Sequence, residues 1–211
     1  SLNLSGDFTL SAGGAVTDSG ALSVGGLTRI SATGKSVVLD GANDFSGAVS
    51  IQAASATLRD TSALDLGDIS LSGSLAVTAG GAVSDSGKLA VGGSTQISAA
   101  GQSVVIDGDN TFTGALSISA GSASIRYGAA IDLGTISLSG NLSLSAGGAV
   151  SDSGTVTVGG STQISAVGKT VVLDGANDFG GALSISAASA TVRDVNALDL
   201  GHVTLSGNLS L

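Results

Sequence analysis

The segment Ala12-Gly-Gly-Ala-Val-Thr-Asp-Ser-Gly20 occurs three times in this chain of 211 residues. It returns, with Ser in place of Thr, at residues 79–87 and again at residues 146–154. The offset is 67 residues each time, from 12 to 79 and from 79 to 146. A fixed period of this length is typical of repeat architectures, in which each unit packs only against its neighbours. This repeat therefore restricts the expected fold to a repeat architecture.

Other strings follow the same period without insertion or deletion. Leu39-Asp-Gly-Ala-Asn-Asp-Phe45 returns, with substitutions, at residues 106–112 and 173–179. Neither end departs from the internal pattern, although solenoids need atypical terminal units to cover their core. We therefore expect the array to continue in both directions. The expected organisation is a single β-helix segment, 1–211, with in-phase repeats 11–77, 78–144 and 145–211, and with 1–10 as the end of a preceding repeat.

Within each repeat, apolar residues alternate with small polar residues, as in Phe8-Thr-Leu10 and Ile69-Ser-Leu71. Alternation with a period of two is typical of β-strands, and Gly-Gly, Asp-Gly and Ser-Gly pairs separate the apolar stretches. Helical spacing is not sustained anywhere. The sequence predicts an all-β, right-handed parallel β-helix with about three coils per 67-residue repeat.

Counting about nine apolar segments per repeat suggests coils of roughly 22 residues if each coil has three sides. This offset would pair Phe8 with Ile30, Val16 with Val38 and Val49 with Leu71. We therefore predict the following inward residues: Phe45, Phe112, Phe179, Val38, Val105, Val172, Leu66, Leu133 and Leu200. The absence of Pro agrees with a stack of central strands, since Pro would remove a donor from the hydrogen-bond ladder.

Composition excludes several classes of function. The net charge is −9, and only seven Lys or Arg are present, so no basic stripe is available to neutralise nucleic-acid phosphates. No run of about 18 apolar residues occurs, so we expect no membrane insertion. Disulfides and thiolate metal sites are excluded because the chain has no Cys. The mean hydropathy of +0.49 indicates enough apolar surface for an ordered core rather than disorder.

Three strings carry a resemblance to a known class of proteins. They are Gly-Gly-Ala-Val-Ser-Asp-Ser-Gly at 80–87, Leu-Asp-Gly-Ala-Asn-Asp-Phe at 39–45 and Asn-Leu-Ser-Leu-Ser-Ala-Gly-Gly at 141–148. Together they resemble the repeats of filamentous-haemagglutinin-like giant exoproteins, the two-partner-secretion-type adhesins of Gram-negative bacteria. The resemblance covers the whole chain. It implies an extracellular or cell-surface location and an outer-membrane export partner.

Three columns of Asp residues recur with the period and are the candidate metal ligands. They are Asp18, Asp85 and Asp152, then Asp40, Asp107 and Asp174, then Asp65, Asp132 and Asp199. Oxygen ligands are densest at Asp40 with Asp44 and at Asp174 with Asp178, which are the calcium candidates. The nonapeptide of calcium β-rolls is missing, however, and Asp-Gly and Asp-Ser-Gly are ordinary turn sequences. Turn formation is therefore favoured, with no cofactor.

The Asn at 43, 110 and 177 precede strands and are interpreted as residues in left-handed backbone conformation. Arg59, Arg126 and Arg193 form a further column, favoured as members of solvated surface pairs with nearby Asp residues. A glycan contact is the alternative at Arg126 and Tyr127, where the only Tyr of the chain could offer an aromatic platform.

Catalysis has little support in the sequence. His202 is the only His, and no Cys or Glu is present. Acidic residues recur with every repeat, whereas an active site is needed once. We therefore expect no enzyme activity and no catalytic residue.

Two functions remain open. One is a structural shaft that projects a distal domain from the cell. The other is an adhesive module that binds glycans, host cells or sister filaments weakly and multivalently. Small, weakly charged outward residues favour the shaft, because they offer few of the Trp, Tyr and Arg anchors that dominate binding hot spots.

Overall fold

The computed structural model describes residues 1–211 and contains β-strands without any helix. The structure therefore has no helix that is long and apolar enough to cross a membrane. The 21 strands are β1 (Leu2–Leu4), β2 (Phe8–Ser11), β3 (Val16–Thr17), β4 (Leu22–Val24), β5 (Thr28–Phe45), β6 (Val49–Asp60), β7 (Leu64–Leu71), β8 (Leu75–Ala79), β9 (Val83–Asp85), β10 (Leu89–Val91), β11 (Thr95–Ile106), β12 (Thr111–Phe112), β13 (Leu116–Tyr127), β14 (Ile131–Leu138), β15 (Leu142–Ala146), β16 (Val150–Asp152), β17 (Val156–Val158), β18 (Thr162–Phe179), β19 (Leu183–Asp194), β20 (Leu200–Leu205) and β21 (Leu209–Ser210).

The strands wind into a parallel β-solenoid of about ten coils, in which each strand pairs with the equivalent strand of the next coil. The long strands β5 and β18 follow the chain around more than one side of a coil. The fold class predicted from the alternation and the period is confirmed.

The predicted offset of 22 residues between stacked partners is wrong. Val16 pairs with Val37, Phe8 with Thr28 and Val49 with Leu66, which are offsets of 21, 20 and 17. Turns at the corners of the solenoid absorb different numbers of residues, as the register shifts show. A slip of one residue moves a side chain to the opposite face of the sheet, so a constant offset cannot identify every inward residue.

The interior is one continuous cluster of 52 buried hydrophobic residues. Phe45, Phe112 and Phe179 lie in it, as predicted, and so do Leu66 and Leu133. The prediction for Val38, Val105 and Val172 is wrong, because these residues are half-buried and their neighbours Val37, Val104 and Val171 are the fully buried ones. Leu200 is 38% exposed, since no further coil of this chain packs on it.

One repeat is longer than three coils by one side. Thr28 and Val37 lie on successive sides of the same coil, within β5. Val37 pairs with Ala56 in the next coil, Ala56 pairs with Leu75, and Leu75 pairs with Thr95. Thr95 is the residue one period after Thr28. The same series of pairings from Val104 leads through Ala123 and Leu142 to Thr162. Equivalent residues of successive repeats therefore lie on successive sides of the solenoid.

Several glycines are required because the backbones of stacked turns nearly touch. A Cβ on Gly81 would lie 2.6 Å from the backbone nitrogen of Ala63 and 2.8 Å from the carbonyl carbon of Ser62 in the coil below. The Gly81 N–H donates to the Ser62 carbonyl at 2.7 Å, which holds the two turns at this separation. The equivalent Gly14 belongs to the first coil and has no atom within 4 Å of such a Cβ.

We expect Gly81→Ala to lower the free energy of unfolding by about 1–3 kcal/mol, because two backbone segments must separate to admit the methyl group. Gly14→Ala, the same change in the same motif without a coil beneath it, should leave stability nearly unchanged. Urea denaturation of the two variants measures the difference. Equal losses of stability would show that close stacking is not the reason for this glycine.

Candidate functional site

The first Asp column ties successive coils together at a corner. In the middle repeat, the Asp85 carboxylate accepts hydrogen bonds from the backbone N–H of Asp107 at 2.9 Å and of Gly108 at 3.1 Å. It also accepts one from Asn110 Nδ2 at 2.6 Å. Asp18 and Asp152 make the equivalent bonds in their repeats. These side chains bond the next coil and not their own turn, so the predicted role in local turn formation is replaced by one in stacking.

The buried Asn residues complete this arrangement. Asn110 Oδ1 accepts the backbone N–H of Leu89 at 2.8 Å, and Asn43 and Asn177 do the same for Leu22 and Val156. The prediction of left-handed backbone at these Asn is wrong, because the only residues with positive φ are Gly34, Gly101 and Gly168. Each Asn donates from Nδ2 to the Asp below it and accepts a strand N–H at Oδ1, so both ends of its amide are paired and its burial is tolerated.

The calcium candidates do not converge. Asp40, Asp44 and Asp174 are exposed, and Asp178 is half-buried. Asp44 accepts a hydrogen bond from Ser62 Oγ, and Asp178 accepts one from Asn196 Nδ2, both at 2.9 Å. The structure has no group of three or more His, Cys, Asp or Glu side chains placed to hold a metal ion. Asp44 and Asp178 therefore take part in hydrogen bonds between coils and not in a shared metal site.

The third Asp column has an unusual feature. Asp65 Oδ2 accepts a hydrogen bond from Ser86 Oγ at 2.7 Å, while Oδ1 of Asp65 and Oδ1 of Asp132 are buried without a partner. Asp199, at the last coil, is exposed. Sequence reasoning did not anticipate this difference between the two oxygens, because it depends on which side chain the next coil places above each one.

A position that sequence reasoning missed supports the row of Phe residues. Asp60 is 2% exposed, and its Oδ2 accepts the backbone N–H of Phe45 at 2.9 Å. Asp194 makes the equivalent bond to Phe179. In the middle repeat the position is Tyr127, whose hydroxyl accepts the Phe112 N–H at 2.9 Å and donates to the Phe112 carbonyl at 3.1 Å. A phenol thus replaces a carboxylate in the same role.

Of the two residues predicted to contact a glycan, Arg126 is exposed and Tyr127 is buried. Tyr127 is 4% exposed and stacks on Phe112 with 5.5 Å between ring centroids, so it offers no aromatic platform to a sugar. Arg126 is exposed and borders a groove with Asp109. Arg59 and Arg193 are exposed as well.

A shallow polar groove recurs once per repeat and lies on a different side each time. The first, of about 340 Å³, is bordered by Arg29, Ser50 and Asp68 among other residues. The equivalent positions border grooves of about 200 Å³ in the second repeat and about 250 Å³ in the third. In the third repeat, His202 takes the place of Asp68. The His202 ring is exposed and has one hydrogen-bond partner, Thr204 Oγ1, at 3.3 Å.

The fold and these repeated corners define a parallel β-solenoid repeat protein. Residues 1–52, 53–119 and 120–186 each match a family described as repeats of unknown function (DUF5649), and the chain belongs to this family. The two complete matches are 67 residues long, the period found in the sequence, although they are cut at another phase of the repeat. No curated protein and no solved structure matches the chain.

We expect Asp85→Ala to lower the free energy of unfolding by about 2–4 kcal/mol, because it removes three hydrogen bonds and leaves the buried Asn110 amide unpaired. Asp199→Ala, at an exposed position of another Asp column, is the matched control and should be close to neutral. Chemical denaturation provides both values. Comparable stability of the two variants would show that this hydrogen-bond network does not stabilise the fold.

We also expect folding to be independent of calcium, because Asp18, Asp85 and Asp152 already accept hydrogen bonds from the next coil and no three carboxylates converge at one point. Thermal melts with excess chelator and with millimolar calcium should coincide. A large calcium-dependent rise in melting temperature would instead identify the Asp columns as ligands.

Proposed function

We propose that this chain is a segment of the shaft of a secreted bacterial surface adhesin, which projects a distal domain away from the cell. The observation that carries the proposal is the unbroken solenoid over all 211 residues, with one core and no change of architecture. Stacking at about 4.8 Å per coil makes about ten coils a rod of roughly 50 Å. A longer array would extend the same rod.

Stiffness follows from how the coils are joined. The chain makes 129 backbone hydrogen bonds, and strand pairing is between coils throughout, so bending would stretch many bonds together. The Asp and Asn corners add side-chain bonds between the same coils. A structure of this kind suits a mechanical spacer better than a hinge.

The extracellular location and the outer-membrane export partner belong to the proposal as well. They rest on the resemblance of the repeats to giant exported adhesins. The absence of Cys is compatible with a chain that crosses the outer membrane unfolded and folds outside.

An adhesive module is the second candidate, and the recurring grooves favour it. Each repeat turns the same groove to a new side of the rod. Several weak contacts made at once could then add up to a stable attachment to glycans, host cells or sister filaments. Such binding would increase with the number of repeats rather than depend on any single one.

Deleting residues 78–144 should leave a folded, shorter rod, because the cut removes one whole period and rejoins equivalent surfaces. We expect a reduction of roughly 16 Å in the maximum dimension, which corresponds to three coils and one side at about 4.8 Å per coil. Small-angle X-ray scattering measures the length, and circular dichroism measures the fold. In the parent protein, the same deletion should retain export and shorten the projection.

The control is a deletion of residues 78–110, about half a period, which brings together strands that do not match and should lower the melting temperature strongly. The shaft proposal would be lost if the in-phase deletion unfolded the chain. It would also be lost if the in-phase deletion left the maximum dimension of the rod unchanged.

A further inference from the structure

The middle repeat departs from the other two at one corner. Residues 107–110 leave the strand conformation, whereas the equivalent residues of the first and third repeats lie within β5 and β18. The Asn110 N–H turns back to the Gly108 carbonyl at 2.8 Å. Asp109 is part of this loop and stands where the other repeats have Ala42 and Ala176.

The loop stacked on this corner differs as well. In the first repeat, the N–H and the Oγ1 of Thr61 both donate to the Asn43 carbonyl, at 2.8 and 2.9 Å. In the third repeat, the Val195 N–H donates to the Asn177 carbonyl at 2.9 Å. The middle repeat has Gly128 at this position, and its N–H makes no such bond. One backbone donor, on Gly128, and one backbone acceptor, on Asn110, are therefore left without a partner in the chain.

Some of these changes compensate one another and need no ligand. Tyr127 supplies the hydrogen bond to Phe112 that Asp60 supplies to Phe45. Thr111 and Ala129 replace the hydrogen-bonded pair of Asp44 and Ser62. Neither Asp109 nor Gly128 is explained in this way.

The departures meet in a groove of about 250 Å³ that spans three coils. It is bordered by Gly108 and Asp109 on one coil, by Arg126, Tyr127 and Gly128 on the next, and by Ser145, Ala146 and Gly147 on the third. A Cβ built on Gly128 would meet no atom within 4 Å, which shows that the groove is open at this point. No groove is found at the equivalent corner of the first repeat.

We propose that this groove binds one unit of a sugar through its hydroxyl groups. A sugar hydroxyl can accept the Gly128 N–H, and because a hydroxyl also donates, the same kind of group satisfies an acceptor of the groove. Asp109 accepts from, and Arg126 donates to, further hydroxyls on the same ring. The volume is below the roughly 300–1,000 Å³ of pockets for larger ligands, as a single sugar unit requires. The proposal does not depend on the shaft.

The test is saturation-transfer NMR on the 211-residue chain with mannose, galactose and glucuronic acid. We expect saturable binding in the millimolar range for at least one sugar. Asp109→Ala and Gly128→Thr should each weaken it about tenfold or more. Both variants introduce residues that the first repeat already holds at these positions, so both should fold.

Arg59→Ala is the matched control, because Arg59 occupies the same position in the repeat without a groove, and it should leave binding unchanged. Arg126→Ala should weaken binding. The proposal is overturned if no sugar binds saturably, in which case the groove holds only water. It is also overturned if Asp109→Ala and Gly128→Thr bind as the parent chain does. Rod length, measured separately by scattering, tests the shaft and is unaffected by either result.

Discussion

The whole structure depends on one constraint, which is that strands of this chain satisfy their backbone hydrogen bonds only with the coils above and below. Every strand pairing is parallel and joins residues 17–21 positions apart, as Asn43 with Asp60 and Thr28 with Val49 show. Parallel stacking brings equivalent side chains into rows, so the inner face must be apolar in every coil. The same stacking places the turns on top of one another, which is why so many corners need Gly.

The polar corners follow from the same constraint. A turn interrupts the ladder and leaves backbone N–H groups that burial would make costly if they had no partner. Asp85 and Asn110 supply acceptors for these groups from one coil to the next, and Asp60 does so behind Phe45. The exchange of Asp60 for Tyr127 shows that the position requires an acceptor of suitable reach, not a charge. Recurrence of Asp in a repeat is therefore weak evidence for metal binding.

The mismatch between the repeat and the coil shapes the surface. Because one repeat equals three coils and one side, Thr28, Thr95 and Thr162 stand on three different sides of the rod. A groove that occurs in every repeat therefore faces three directions. Residues that differ in one repeat only, such as Asp109 and Gly128, change one side of the rod at one position along its axis. This geometry allows a repetitive solenoid to vary its surface at one place without changing its core.

The sequence by itself determined the period, the strand character and the rows of Phe45, Phe112 and Phe179 in the core, because alternation and recurrence are local properties that survive any small error in register. The tertiary structure decided that Val37 and not Val38 faces inward, that Asp18 and Asp85 bond the next coil, and that Tyr127 is buried. Each of these depends on which residue of the next coil lies opposite. That choice is made by the turns, whose lengths differ from corner to corner, so it cannot be obtained from a constant spacing along the chain.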